Sequence, residues 1–140
     1  LTAWSDTVAM IRDFPVTGTG LGTYEQAMLL YQTSGREVMY AEAHNDYLQV
    51  AAQGGLLVVI PVIVAVGVVV VIVRRRLTSG DDDPLTYWTR VGAVAGIAGI
   101  AAQSVVEFSL QMPGNRILFV MLLALAMHRP TRRSVNANRV

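Results

Sequence analysis

The side chains best suited to chemistry lie in residues 44–49, His-Asn-Asp-Tyr-Leu-Gln, shortly before an uncharged apolar run over residues 55–73. If the segment is helical, a period of 3.6 residues places His44 on the same face as Leu48 and opposite Asp46. His44 then points to the apolar side. An imidazole in that position is either a packed, hydrogen-bonded core residue or a proton-handling group held in a pocket.

Three alternating glycines, Gly18, Gly20 and Gly22, precede this segment. Glycine permits positive φ and a close backbone approach, so the pattern predicts either a tight structural turn or a backbone-amide cradle for a phosphate. It is not a dinucleotide-binding fingerprint, because the spacing differs and no apolar strand precedes it. Arg36, in the polar stretch that follows, is either a solvated side chain or a bidentate ligand for a diphosphate.

The composition indicates a membrane protein. Of the 140 residues, 53% are hydrophobic, and the mean hydropathy is +0.45, which is too apolar for an ordinary soluble domain. Residues 1–54 hold two arginines and six acids, whereas residues 128–140 hold four arginines and no acid. This asymmetry is a topology signal and does not indicate nucleic-acid binding.

The absence of cysteine excludes disulfides, thiol nucleophiles and cysteine-ligated metals. Three consecutive aspartates, at positions 81–83, are the one pattern that invites a metal interpretation. Adjacent carboxylates on a solvated loop repel one another and rarely converge on one ion, so no metal site is predicted.

The apolar periodicity predicts an all-α fold. Residues 2–14 form a short amphipathic helix that Pro15 ends, and residues 24–31 form a second short helix. The 19 residues from 55 to 73 extend over about 28 Å as a helix, which matches a bilayer. Pro61 is expected to bend this helix without breaking it. About three transmembrane helices are predicted, at residues 55–73, 91–110 and 114–128.

The arginine clusters orient these spans. The positive-inside rule places Arg74–Arg76 in the cytoplasm, followed later by a basic cytoplasmic tail at 129–140. Residues 1–54 then form an outer-face loop segment, and residues 55–128 form the membrane part. Glu107, near the outer end of the second span, is expected to face the protein interior or a water-filled cavity. Three side chains are expected to form an interfacial belt at the start of that span: Tyr87, Trp88 and Arg90.

The order of these motifs resembles the O-antigen ligase family, which also includes O-antigen polymerases and ligase-like protein glycosyltransferases. The resemblance extends over about residues 4–127. It is carried by these residues: Trp4, Asp6, Met10-Ile11, Pro15, the glycine segment 18–24, Ala43–Gln49, Gly54-Gly55-Leu56, Ser104, Glu107-Phe108 and Pro113.

The resemblance implies a multi-pass glycosyltransferase of the bacterial inner membrane that needs no metal, cofactor or nucleotide sugar. Such an enzyme moves a glycan from an undecaprenyl-diphosphate carrier to a lipid, glycan or protein acceptor on the outer side. His44 is the position of the family's functional histidine, which assists deprotonation of the acceptor hydroxyl. In the family, arginines hold the diphosphate. Arg36 and Arg116 are the arginines available for this on the outer side, although neither stands at a position of the family's motif. The other substrate-binding candidates are Glu107, Gly18, Gly20 and Gly22.

The sequence departs from the family pattern at its start. The family has a functional arginine a few residues before the tryptophan, and this sequence begins at Leu1. We therefore expect a C-terminal fragment that is inactive alone. Three alternatives stay open: a polymerase of the same family, a transporter segment that uses Glu107, and a non-catalytic membrane subunit.

Overall fold

The computed structural model describes residues 2–33, 43–80 and 82–129, and these ranges are all-helical, as predicted. Arg36 lies outside the described residues. The described ranges contain five α-helices and one 3₁₀ turn: α1 (Thr2–Asp13), α2 (Tyr24–Tyr31), α3 (Asp46–Thr78), α4 (Pro84–Gln103), the 3₁₀ turn (Ser109–Gln111) and α5 (Pro113–Met127).

The two short helices α1 and α2 have the predicted positions and pack against the first turns of α3. Their shared core contains five buried hydrophobic residues: Met10, Tyr24, Met28, Ala43 and Ala52. The hydroxyls of Thr7 and Tyr24 lie 2.7 Å apart inside this core, so the polar end of the tyrosine is satisfied where it is buried. This small bundle of α1, α2 and the start of α3 positions the histidine segment.

The long helix α3 contains the predicted span 55–73 and begins before it, at Asp46. Asn45 caps it, since its side-chain oxygen accepts a hydrogen bond from the Leu48 N–H at 3.0 Å. The helix is interrupted at Gly55, which has φ 54° and ψ −160°. Pro61 does not break the helix, as expected.

The interruption removes two helical hydrogen bonds, and the glycine loop replaces them. In a continuous helix the N–H groups of residues 56–57 donate to the carbonyls of residues 52–53. Here the loop at residues 15–20 supplies a partner to each of these groups: Leu56 N–H to Pro15 O at 2.9 Å, Leu57 N–H to Val16 O at 3.0 Å, Thr19 N–H to Ala52 O at 2.9 Å and Gly20 N–H to Gln53 O at 3.0 Å. These four backbone groups therefore keep hydrogen-bond partners across the interruption.

Two glycines permit this close approach. A Cβ atom at Gly18 would lie 2.3 Å from the carbonyl carbon of Gln53, and one at Gly55 would lie 2.5 Å from the Gly18 nitrogen. Both glycines have positive φ, 64° and 54°. Glycine is therefore required at both positions, for space and for backbone conformation.

Among the described residues, α3 is the one helix long and apolar enough to cross a membrane, and little of its apolar stretch is buried within the chain. The helix α5 is apolar but shorter. The predicted second span over 91–110 is wrong in its bounds, since α4 runs from Pro84 to Gln103. The three-span arrangement is thus not confirmed.

The helix α4 starts earlier than predicted because Asp83 caps it. Its carboxylate accepts hydrogen bonds from the N–H and the hydroxyl of Thr86, at 2.8 and 3.0 Å. These bonds hold the pKa of Asp83 below its ordinary value. Pro84 then occupies the first helical position, where its missing N–H has no consequence.

Helices α4 and α5 pack against each other, and Arg90 joins them. Gly96 makes room for Leu122, whose Cδ1 would lie 2.9 Å from a Cβ at that glycine. Arg90 is buried, and not in the predicted interfacial belt. Its guanidinium donates to the carbonyls of Ala126 and His128 at 3.0 and 2.8 Å and pairs with Asp82. It therefore satisfies carbonyls at the C-terminal end of α5, where a positive charge is favourable.

Candidate functional site

His44 lies on the loop before α3, not on the helix. Its φ is 50°, and its side chain is exposed. The prediction that it lies on the apolar face of a helix is therefore wrong. Asn45 is extended and caps the helix, so the helix cannot continue back through position 44. The imidazole packs edge-on against Phe108, with ring centroids 5.3 Å apart, and makes no hydrogen bond with the described residues.

Two buried side chains after His44 attach the motif to the turn that follows α4. The carboxylate of Asp46 accepts hydrogen bonds from the Leu110 N–H at 2.9 Å and from the Gln111 amide nitrogen at 3.3 Å. Gln49 accepts from the Ala43 N–H at 3.0 Å and donates to the Gln111 side-chain oxygen at 3.2 Å. Asp46 and Gln49 are 5% and 6% exposed, so these bonds are protected from water.

The backbone and Tyr47 complete the attachment. The N–H of Asp46 donates to the carbonyl of Ser104 at 3.0 Å, and the Tyr47 hydroxyl donates to the carbonyl of Ala101 at 2.8 Å. The start of α3 is thereby fixed to the C-terminal end of α4. The motif side chains that take part in this structure are Asn45, Asp46, Tyr47 and Gln49. The imidazole of His44 is left directed at solvent and Phe108.

Arg116 lies in the first turn of α5, at the same end of the molecule. Its guanidinium donates to the carbonyl of Gln111 at 2.7 Å, and the side chain is exposed. Gln111 in turn donates to Asp46. Arg116 is therefore connected to the histidine motif through one intermediate residue, and most of its donors are free to meet an anion.

Glu107 is exposed on the turn after α4 and does not lie within a span. Of the two surroundings predicted for it, the protein interior is wrong, because the contacts of Asp46 with residues 104 and 110 hold this stretch in a turn and a 3₁₀ conformation. The water-filled cavity stays a prediction. Glu107 immediately precedes Phe108, which contacts His44. The acid is therefore close in sequence to the histidine's aromatic neighbour.

The glycine segment has structural partners for its amides. The N–H groups of the three glycines donate to Phe14 O, Gln53 O and Gln53 Oε1, at 3.0, 3.0 and 3.2 Å for Gly18, Gly20 and Gly22 respectively. These amides are not available to a phosphate in this conformation. The structural turn, one of the two interpretations of the sequence, accounts for them.

A cleft with a volume of about 390 Å³ lies between α2, the start of α3 and the 3₁₀ turn. Its size falls within the usual range of ligand sites, roughly 300–1,000 Å³. Carboxylates and carboxamides supply most of its polar lining: Glu25, Asp46, Gln49, Gln53 and Gln111. No described lining residue carries a positive charge.

Some of these residues were not predicted as functional. Phe108 and Gln111 are distant from His44 in the sequence, and only the folded chain brings them beside the motif, whereas Gln53 follows the motif on α3. The positions of Glu25, Gln49 and Gln53 along α2 and α3 do not indicate a cleft, because the cleft forms only where three separate segments meet.

A family model described as O-Antigen ligase matches residues 1–63. These residues are similar to O-antigen ligases. The match includes α1, α2, the glycine loop, the His44 motif and the Gly55 interruption, and it confirms the resemblance over just under half of the chain. The later motif around Glu107 lies beyond the matched residues. The match supports a role in surface polysaccharide assembly at a membrane.

No curated protein and no solved structure matches the chain.

Proposed function

We propose that this chain forms part of a ligase-like glycosyltransferase that moves a glycan from an undecaprenyl-diphosphate carrier to a hydroxyl of a lipid, glycan or protein acceptor. His44 is the general base of this reaction. One observation carries the proposal. The other polar side chains of the motif make hydrogen bonds within the protein, whereas the imidazole of His44 stays exposed on a residue with a strained backbone conformation.

A non-glycine residue with positive φ is uncommon, and such strain persists where the surrounding structure imposes it, often at functional sites. The carbonyl of Ala43 accepts a hydrogen bond from the Trp4 indole at 3.0 Å, and its N–H donates to Gln49. These bonds hold the residue before His44 on both sides. The strain is therefore supported by the fold, and it fixes the direction of the imidazole.

Proton removal and charge neutralisation are sufficient for the proposed chemistry. A positioned base near neutral pKa accelerates proton transfer, and a histidine is the usual choice. The diphosphate departs more readily once guanidinium groups neutralise it. Arg116 is one proposed guanidinium, because of its exposed position beside the motif. Arg36 is a second, proposed from the sequence alone, and Glu107 is proposed to orient the acceptor.

The orientation of the chain in the membrane belongs to the same proposal. The part of α3 after Gly55 spans the bacterial inner membrane, and α4 and α5 add two shorter passages. Residues 1–54 lie on the outer side, where the exported carrier presents its glycan. The transporter alternative has lost its main support, because Glu107 lies on an exposed turn and not within a span.

The test is a transfer assay on the complete protein in native membranes with the His44→Gly and His44→Ala variants. Glycine adopts a φ of 50° without strain, so His44→Gly keeps the fold while it removes the base. We expect transfer to fall by about 10²–10⁴-fold, the usual contribution of a general base. Membrane insertion and protein amount are expected to stay unchanged.

The matched control is His128→Ala, which removes the second of the two histidines in the sequence. His128 is exposed at the other end of the molecule, and its backbone carbonyl, not its side chain, binds Arg90. This variant should transfer glycan at the normal rate. Normal transfer by His44→Gly would exclude the catalytic role of His44.

A further inference from the structure

We propose that the cleft between α2, α3 and the 3₁₀ turn is a sugar subsite that accepts an uncharged pyranose ring and rejects an acidic one. The proposal rests on the proposed function, since it concerns a glycan held beside His44. It adds a selectivity that neither the family resemblance nor the position of the histidine implies.

Two of the three segments that form the cleft, the start of α3 and the 3₁₀ turn, are connected to the pair of His44 and Phe108. Asp46 lines the cleft two residues after His44, and Leu110 lines it two residues after Phe108. His44 and Phe108, which pack edge-on, are therefore each two positions before a residue that lines the cleft. In this proposal the glycosidic position or hydroxyl of a sugar ring in the cleft faces these two residues.

The lining offers both donors and acceptors, which an uncharged ring with several hydroxyls requires. Gln53 uses its side-chain oxygen to accept the Gly22 N–H at 3.2 Å, and its amide nitrogen has no partner among the described residues. Each oxygen of Asp46 accepts one hydrogen bond, and a carboxylate can accept about four in all. Both groups can therefore still bind hydroxyls.

The charge of the lining disfavours an anionic ring. Glu25 and Asp46 are carboxylates, and no described residue of the cleft is cationic. A uronic acid would place a third carboxylate among them, and like charges in a partly buried site repel more strongly than in water. A diphosphate is disfavoured for the same reason, so the cleft is distinct from the position proposed for the leaving group near Arg116.

The experiment compares two ligands that differ at one carbon, methyl glucoside and methyl glucuronide, on the complete protein in lipid nanodiscs. Saturation-transfer NMR at neutral pH measures the binding of each. We expect the glucoside to bind at least about tenfold more tightly than the glucuronide, the ratio that about 1.4 kcal/mol of repulsion produces. Equal binding of the two ligands, or binding of neither, would overturn the proposal.

Two nearly isosteric variants locate the binding in the cleft. Gln53→Glu keeps the acceptor for Gly22 and removes the free donor, so glucoside binding should fall by about three- to tenfold. Glu25→Gln removes one carboxylate and should strengthen glucuronide binding. Gln26→Glu makes the same chemical change as Gln53→Glu on the exposed neighbour of Glu25, which does not line the cleft, and should leave both affinities unchanged.

The two proposals fail in different ways. If Gln53→Glu and Glu25→Gln both behave like Gln26→Glu while His44→Gly abolishes transfer, the sugar subsite is wrong and the proposed function stands. If the binding pattern is as expected but His44→Gly transfers glycan normally, the cleft binds sugar and the catalytic assignment is wrong.

Discussion

His44 illustrates what a helical pattern can and cannot predict about a single residue. The sequence pointed to its chemistry, but the face assigned to it assumed that α3 extends back to position 44. Asn45 is a good capping residue in any sequence. The conformation of His44 depends on contacts made by the preceding residue with Trp4 and Gln49. Contacts from a distant helix are not contained in local periodicity, so the exposed imidazole could not be predicted.

At the same scale, Gly18→Ala should destabilise the protein far more than Gly22→Ala. Both glycines have positive φ, which costs an alanine about 1 kcal/mol. The added methyl at Gly18 would also collide with the Gln53 backbone at 2.3 Å, whereas nothing lies within 4 Å at Gly22. Thermal unfolding in detergent measures the difference. Similar melting temperatures for the two variants would contradict the close packing of this loop.

At the scale of elements, the sequence predicted the two short helices well and the long ones less well. The bounds of α1 and α2 follow from strong local signals, Pro15 and the glycines beside it. The apolar run predicts a membrane span that begins at Gly55, and the faces assigned to the segment before it assume a helix that already includes position 44. The actual continuation back to Asp46 is possible because the loop at residues 15–20 supplies hydrogen-bond partners from more than thirty positions away. Such non-local support has no signature in the run itself.

Arg90 joins α4 to the end of α5, and its replacement should destabilise the contact between these two helices. Arg90→Met leaves the Asp82 carboxylate and two carbonyls without their buried partner, and removal of one member of a buried pair costs about 3–5 kcal/mol. Thermal unfolding should therefore occur at a clearly lower temperature. Arg12→Met, on the exposed side of α1, serves as the control and should change stability little.

The double variant Arg90→Met with Asp82→Asn distinguishes the pair from general packing. Because the asparagine is neutral, this variant should recover part of the stability that Arg90→Met loses. If the two residues do not interact, the losses of stability caused by Arg90→Met and Asp82→Asn should simply add in the double variant. Additive losses would therefore contradict the ion pair.

For the whole molecule, composition predicted the all-helical class and the apolar span in α3, both of which the described residues contain. The predicted number of three membrane spans is not confirmed. The helix α4 ends at Gln103, and the residues after it form a turn whose Leu110 N–H binds Asp46. The apolar pattern through residue 110 therefore does not correspond to one continuous helix. Hydropathy counts apolar residues along the chain and contains no term for such a contact.

The proposed topology predicts that α2 and the C-terminal end of α3 label from opposite sides of the membrane. The chain contains no cysteine, so each single-cysteine variant reports one position. Gln26→Cys, on α2, should react with a membrane-impermeant maleimide added to intact spheroplasts. Ser79→Cys, at the end of α3 beside Arg74–Arg76, should react only after the membrane is opened. Labelling of both positions from one side would contradict the orientation.

The replacement of two helical hydrogen bonds at Gly55 has a consequence for the evolution of the loop at residues 15–20. Most surface loops tolerate added or deleted residues, since their ends alone are fixed. Between Pro15 and Gly20, four backbone groups are matched one by one to groups of α3. A single added residue would shift this register and leave polar groups unpaired beside the Gly55 interruption. This short stretch should therefore have an invariant length, even where its side chains are free to vary.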